Sequence, residues 1–126
     1  MVRLTIERKI RLALTEVWDI AKSEGINLRP FFIQRTDLDL PCMAYNYTSR
    51  PAYFADNDCK SDYYTITVNL LIDTEVEKYK RLVVKHMELH GFTRTLTSAT
   101  YLEDSGYFNT PIQFIISIRK EDDFNE

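Results

Sequence analysis

The strict alternation of residues between Tyr63 and Ile72 constrains the fold of this chain more than any other feature. Every second side chain in this run is apolar: Tyr64, Ile66, Val68, Leu70 and Ile72. Successive side chains of a β-strand point to opposite faces of the sheet, so the pattern predicts a strand with one buried face and one largely polar face. We therefore expect a sheet that other elements cover on one side.

A segment with helical periodicity lies near the start of the sequence, at residues 5–24. Its apolar residues recur at intervals of three and four: Ile6, Ile10, Ala13, Leu14, Val17 and Ala21. Gly25 follows directly, and glycine readily adopts the left-handed conformation with which many helices end. The spacing predicts an amphipathic helix that stops at Gly25.

A second helix is predicted at residues 75–90. Its apolar residues are again spaced by whole turns: Val76, Tyr79, Val83 and Met87. Thr74 and Glu77 have the spacing of a capping box, in which the hydroxyl accepts a hydrogen bond from a first-turn N–H and the carboxylate reaches back. The helix is expected to end before Gly91.

Weaker sequence signals predict the remaining strands. Short apolar or aromatic runs indicate strands at residues 31–33 and 42–47. A hairpin is predicted between residues 92–103 and 107–118, with Asp104, Ser105 and Gly106 as its turn. Residues 48–62 are polar, include Pro51 and show no sustained period, so they are predicted to form a long surface loop.

The order of these elements indicates a fold class. A helix, two strands, a long loop, a strand, a helix and a hairpin predict an α+β fold with a single, largely antiparallel β-sheet and two helices packed on one face. No repeat or linker divides the sequence, so residues 1–126 are predicted to form one domain. The charged residues 120–126 are expected to fray.

Charge and composition argue against several classes of partner. The net charge is −3, and acids and bases are interspersed along the chain, which argues against direct sequence-specific binding of nucleic acid. No apolar run is long enough for a membrane span or a secretion signal, so we expect synthesis in a cytoplasm and no membrane association. Cys42 and Cys59 are predicted to be free thiols.

The search for chemistry yields no catalytic, cofactor-binding or metal-binding residue. His86 and His90 are one helical turn apart, which suits two metal ligands, but the sequence offers no third ligand beside them. Both imidazoles are instead predicted to lie in the last turn of the second helix, where positive charge is favourable. Only three glycines are present, so no glycine-rich phosphate loop is expected, and the chain is predicted not to be an enzyme.

Several segments together resemble the tail terminator, or tail completion, proteins of long-tailed bacteriophages. The most distinctive is the run Tyr53-Phe54-Ala55-Asp56-Asn57. The others are the alternating strand Tyr64-Thr65-Ile66-Thr67-Val68-Asn69-Leu70-Leu71, the helix end Glu88-Leu89-His90-Gly91-Phe92, and the hairpin from Tyr101-Leu102-Glu103 to Phe114-Ile115-Ile116. The resemblance covers most of the chain from Phe31 onward.

This resemblance implies a small α+β subunit of the virion, located at the junction of head and tail. Such subunits form a homo-oligomeric ring of six on the head-proximal end of the finished tail tube, stop its polymerisation, and offer the opposite face to a head-completion or connector protein. In this chain the resemblance places contacts with the tube or a neighbouring subunit at Arg50, Tyr53, Phe54, Asp56 and Asn57. Tyrosine and arginine suit such contacts because they bury a large area at low entropic cost.

Other interpretations remain open at the sequence level. Tyr53 and Phe54 can instead fold back over the sheet edge of their own subunit. The chain can also be a head-completion or adaptor subunit between portal and tail. A small ligand-binding regulatory domain of the ferredoxin-like kind has similar elements, because two helices cover one face of an antiparallel sheet there as well.

Overall fold

A computed structural model gives the fold of the protein and describes residues 5–32, 40–55, 58–103 and 106–119. At residues 50–55, 58–61 and 119 it describes the backbone alone. The elements in chain order are α1 (Ile6–Ser23), β1 (Arg29–Phe32), β2 (Cys42–Ala55), β3 (Asp58–Ile72), α2 (Val76–Leu89), β4 (Thr93–Thr97), β5 (Tyr101–Leu102) and β6 (Phe108–Arg119).

The strands form one sheet in the order β1-β2-β3-β6-β4, and the short β5 also pairs with β6. Every pairing is antiparallel except that of β1 with β2, which is parallel. The predicted α+β fold with a largely antiparallel sheet and two helices is thus confirmed. The first arm of the predicted terminal hairpin consists of two short strands, β4 and β5, instead of one continuous strand over residues 92–103.

The main hydrophobic core lies between the helices and one face of the sheet. Ile66, Val68, Leu70 and Ile72 of β3 are fully buried there, as the alternation predicts. The six apolar residues of α1 are buried as well, which confirms the predicted stripe. Tyr79, Val83 and Met87 supply the buried side of α2.

The other face of the sheet carries a smaller apolar cluster beside β1. Phe31, Cys42, Ala44 and Leu71 are buried in it, with Leu40 packed against them. The register pairs Cys42 with Leu71 and Phe31 with Ala44, which places these side chains on the face away from the helices. The prediction of a polar second face is therefore wrong near β1. Cys42 is buried. Because nothing is described of the Cys59 side chain, the prediction that both cysteines are free thiols stays a prediction.

The predicted loop over residues 48–62 is wrong. The described residues of this segment continue β2 and β3 into a long hairpin, with pairs that run from Thr48↔Thr65 to Ala55↔Asp58. The register shifts between Pro51 and Tyr53 and again between Tyr53 and Phe54. A bulge breaks the two-residue period of a strand, which explains why the sequence shows no alternation here.

The helices begin and end within a residue of the predicted positions, but the capping box of α2 is absent. The residue that caps α2 is Glu75, in the left-handed region at φ 50°, and its side chain makes no capping hydrogen bond. The Glu77 carboxylate instead accepts a hydrogen bond from Lys80 Nζ at 2.9 Å. In α1, by contrast, Thr5 Oγ1 accepts a hydrogen bond from the Arg8 backbone N–H at 3.2 Å.

Candidate interaction surface

The outer part of the β2–β3 hairpin, residues 50–61, is called the hairpin arm here. It continues the sheet away from the main core, whose nearest members on these strands are Tyr47 and Tyr64. β6 pairs with β3 as far as Ser61↔Arg119, so within the described chain residues 58–60 pair only with β2. The arm is therefore a two-stranded end of an otherwise wider sheet.

The sequence-predicted contact residues fall on this arm. The backbone of Arg50, Tyr53 and Phe54 belongs to β2, and Arg50 is paired with Tyr63 of β3. Asp56 and Asn57 lie outside the described residues. Tyr53, Phe54 and Ala55 thus continue β2 and are not part of a long loop.

One edge of β2 is paired with a described strand over only a short part of its length. β1 pairs with β2 only from Cys42 to Tyr45, and beyond Tyr45 no described strand lies on that side. Ten residues of extended chain span about 30 Å, so this edge is long. Pro51 lacks an N–H and the bulge twists the strand after it, and both features discourage uncontrolled strand pairing at an edge. Among the described strands, none pairs with β2 on this side between Asn46 and Arg50.

Aromatic contacts fix the base of the arm to the core. The rings of Phe32 and Tyr45 meet edge to face at a centroid distance of 5.6 Å, those of Phe32 and Tyr47 at 5.8 Å, and those of Tyr47 and Tyr64 at 6.3 Å. Arg11 Nη1 of α1 donates a hydrogen bond to the Tyr45 hydroxyl at 3.3 Å. Burial raises the pKa of Tyr45 above its ordinary value, although Arg11 opposes the shift.

No family model matches this sequence, and no curated protein matches it. The functional interpretation therefore depends on the resemblance carried by the segments named above and on the geometry of the described residues. The described helices include none that is long and apolar enough to cross a membrane.

The two histidines meet a carboxylate that the sequence does not connect with them. Glu16 of α1 lies between their rings, with Oε1 at 2.8 Å from His86 Nδ1 and Oε2 at 3.0 Å from His90 Nε2. The hydrogen bonds from His86 and then His90 hold the pKa of the Glu16 carboxyl below its ordinary value of 4.5. Within the described parts of the chain, no group of three or more His, Cys, Asp or Glu residues is arranged to hold a metal ion. The cluster therefore joins the last turn of α2 to the middle of α1.

Two depressions mark the helical side of the molecule. One, of about 690 Å³, follows α1 past Arg8, Arg11 and Leu12. The other, of about 400 Å³, lies between α2 and β4 and is called the basic groove here. It is lined by Lys80, Arg81, Val84, Lys85, Glu88, Leu89 and Arg94. Sequence reasoning did not find the basic groove, because Arg94 joins the helical cations only through the fold.

Proposed function

We propose that this protein is a ring-forming structural subunit at the head-proximal end of a phage tail tube, where it stops tube polymerisation and joins the tail to the head. The proposed ring is a homo-hexamer. Its proposed partners are its own copies, the tube protein and a head-completion or connector protein. The role consists of contacts between surfaces and requires no catalytic step.

One observation carries the proposal: the backbone of Tyr53, Phe54 and Ala55 continues β2 beyond Tyr47, the last described residue of this strand that packs against the core. The core residues of β2 and β3 end at Tyr47 and Tyr64, and the arm begins three residues beyond Tyr47. Tyrosine and phenylalanine on such an extension supply the apolar anchors that protein interfaces favour. The unpaired β2 edge beside the arm adds backbone groups that a neighbouring chain can use.

The fold gives further support, because a small α+β subunit is what the resemblance implies. A closed ring needs two different patches on each subunit that fit each other. The hairpin arm lies at one end of the sheet, and the basic groove lies between α2 and β4 on the helical side. The subunit therefore offers distinct surfaces for a head-to-tail arrangement.

The test is electron microscopy of lysates from the phage that encodes this chain, with a stop codon at Trp18. Tails of abnormal or uncontrolled length beside unjoined, filled heads are the expected result. Free tails of normal length would assign the chain to head–tail joining without length control. Intact infectious particles would overturn the proposal. Expression of the wild-type chain from a plasmid is the control, and it should restore joined particles.

A further inference from the structure

The basic groove contains positive charge that the described fold leaves unneutralised. Four cations, Lys80, Arg81, Lys85 and Arg94, line it against the single carboxylate of Glu88. Lys80 is paired with Glu77 at 2.9 Å. Arg81, Lys85 and Arg94 are exposed and form no salt bridge with any residue that the structure describes. Like charges collected in one groove repel each other, so an anionic occupant is favoured.

The groove also presents apolar surface. The side chain of Leu89 is 67% exposed. Val84 lies five residues earlier on α2 and is half-buried in the same lining. An occupant that matches this surface carries several carboxylates and at least one large apolar side chain.

The chain itself contains a segment of this kind. Residues 120–126 comprise one lysine, four acids, Phe124 and Asn125. Their formal charge of −3, which is one positive charge minus four negative ones, equals the charge of the whole chain, so residues 1–119 are neutral in sum. The acidic residues Glu121, Asp122 and Asp123 directly precede Phe124.

We propose that the acidic segment of residues 121–126 of one copy binds in the basic groove of a neighbouring copy. Its carboxylates meet Arg81, Lys85 and Arg94, and Phe124 packs against Leu89. The inference rests on the proposed function in so far as this contact is one between ring subunits.

The geometry favours a neighbouring copy over the same chain. β6 ends at Arg119, and Arg94 is paired with Phe114, five residues earlier. Five strand residues span about 16 Å, and Asp123, four residues beyond Arg119, reaches about 14 Å from it at most, so contact with Arg94 of the same chain would need a fully extended segment that turns straight back along β6.

The Arg81 end of the groove is still further from Arg119. α2 connects Ile72 to Thr93. Ile72 pairs with Phe108 at the start of β6, and Thr93 pairs with Ile115 near its end. The helix therefore runs toward the Arg119 end of β6. Arg81 precedes Leu89 by eight residues, or about 12 Å of helix, on the side away from Arg119. A second copy can fill the whole groove, and this contact joins two different patches, as a ring requires.

The first experiment is a fluorescence anisotropy titration with a labelled peptide of residues 121–126. The receptor is the full chain carrying Asp122→Lys and Asp123→Lys, which leaves its own groove vacant. Saturable binding is expected, and adding Lys85→Glu should weaken it by about tenfold or more. Arg8→Glu, the same charge change at an exposed position of α1, is the matched control and should leave binding within about twofold. Absent binding, or equal weakening by Lys85→Glu and Arg8→Glu, overturns the proposal.

A charge-swap experiment distinguishes a neighbouring copy from the same copy. In chains with Arg81→Glu and Lys85→Glu, the groove becomes negative like the segment of residues 121–126, so two such copies repel each other at this contact. In chains with Asp122→Lys and Asp123→Lys, positive charges replace two carboxylates opposite the positive groove, with the same result. An equimolar mixture restores attraction at both contacts, so native mass spectrometry should show mixed oligomers that neither variant forms alone. Peptide binding without mixed oligomers would place the segment on its own copy and overturn the proposal.

The two proposals fail separately. A terminator phenotype without peptide binding removes only the groove contact. Peptide binding together with intact particles from the Trp18 stop mutant removes only the phage function.

Discussion

Glu16 Oε1 lies 2.8 Å from His86 Nδ1, and this contact connects the middle of α1 to the last turn of α2 across 70 positions of sequence. The second carboxylate oxygen faces His90, so one acid contacts both histidines of the chain. An ionised carboxylate only accepts hydrogen bonds, so both of its oxygens can accept one from a ring N–H. Two such contacts at once therefore require that Glu16 is ionised.

Glu16→Gln should remove a pH-dependent contribution to the free energy of unfolding. Because the folded-state pKa of Glu16 lies below its ordinary value of 4.5, its contribution is fully present above pH 4.5 and is lost as the pH falls through the folded pKa. The side chain is 45% exposed, so after solvent screening the expected difference from wild type is about 0.5 kcal/mol at pH 7. Urea unfolding between pH 7 and pH 3 measures this difference, which should shrink toward the acid end.

The matched control for Glu16→Gln is Asp19→Asn, on the same helix. Asp19 pairs with Lys22 at 3.4 Å and is 64% exposed. Its removal should have less effect. Equal losses from the two variants would show that the histidine contacts add nothing to stability.

Glu75→Asn should stabilise the protein. Glu75 caps α2 at φ 50° without a side-chain hydrogen bond, and the left-handed region is unfavourable for glutamate but well tolerated by asparagine. The expected gain in the free energy of unfolding is about 0.5 kcal/mol, measured by urea titration.

The control for this variant is Asp73→Asn, which changes the charge by the same amount at an exposed neighbouring position. Among the described residues other than glycine, only Glu75 has a positive φ. Asp73→Asn should therefore give no such gain. If both variants stabilise equally, the cause is charge near the helix and not backbone conformation.

Tyr79→Phe tests the contact between α2 and the end of α1. The buried Tyr79 hydroxyl donates a hydrogen bond to Glu24, whose other oxygen accepts one from Lys78 at 2.7 Å. Burial, together with Glu24, raises the pKa of Tyr79 to about 12. A raised folded-state pKa adds stability below the ordinary value of 10 that is lost as the pH rises toward 12.

The wild type should therefore lose more stability between pH 10 and pH 12 than Tyr79→Phe, which keeps the packed ring but cannot ionise. Urea unfolding at pH 8, 10 and 11.5 measures the difference. Tyr45→Phe provides a comparison on the sheet side, because the pKa of Tyr45 is also raised by burial. Parallel curves for wild type and Tyr79→Phe would contradict the assigned role of the hydroxyl.

The parts of the fold that the sequence predicts are those with an uninterrupted period. The alternation in β3 and the stripe in α1 each arise because one side of a regular element is buried, so burial is visible as spacing. Beyond Pro51, β2 lacks this alternation because its pairing register with β3 shifts twice.

Two features of the structure depend on conformation and could not be predicted from residue spacing. Thr74 and Glu77 have the residue types of a capping box, but the left-handed turn at Glu75 leads the chain into α2 without it. Spacing alone does not reveal a backbone dihedral. Likewise the partner of His86 and His90 lies on another helix, and only the packing of α1 on α2 brings Glu16 to them.

Replacing the hairpin arm tests whether it serves assembly or stability. In the proposed variant, the dipeptide Asn-Gly replaces residues 51–62 and joins the paired residues Arg50 and Tyr63. Asn-Gly favours the tight turn of two-residue hairpins. Every residue of β2 and β3 that the structure describes as part of the core remains, so the free energy of unfolding should fall by no more than about 1–2 kcal/mol. Urea unfolding and circular dichroism check that the variant folds.

Assembly is then measured by complementing the Trp18 stop mutant with plasmid-borne variants. The shortened chain should fold yet restore no infectious particles, because four of the five proposed contact residues, Tyr53, Phe54, Asp56 and Asn57, have been removed. Arg50→Glu should reduce the yield strongly by reversing one charge at the base of the arm, whereas Arg8→Glu should complement like wild type. A shortened chain that complements fully would place the tail contacts elsewhere, and one that fails to fold would show that the arm stabilises the subunit itself.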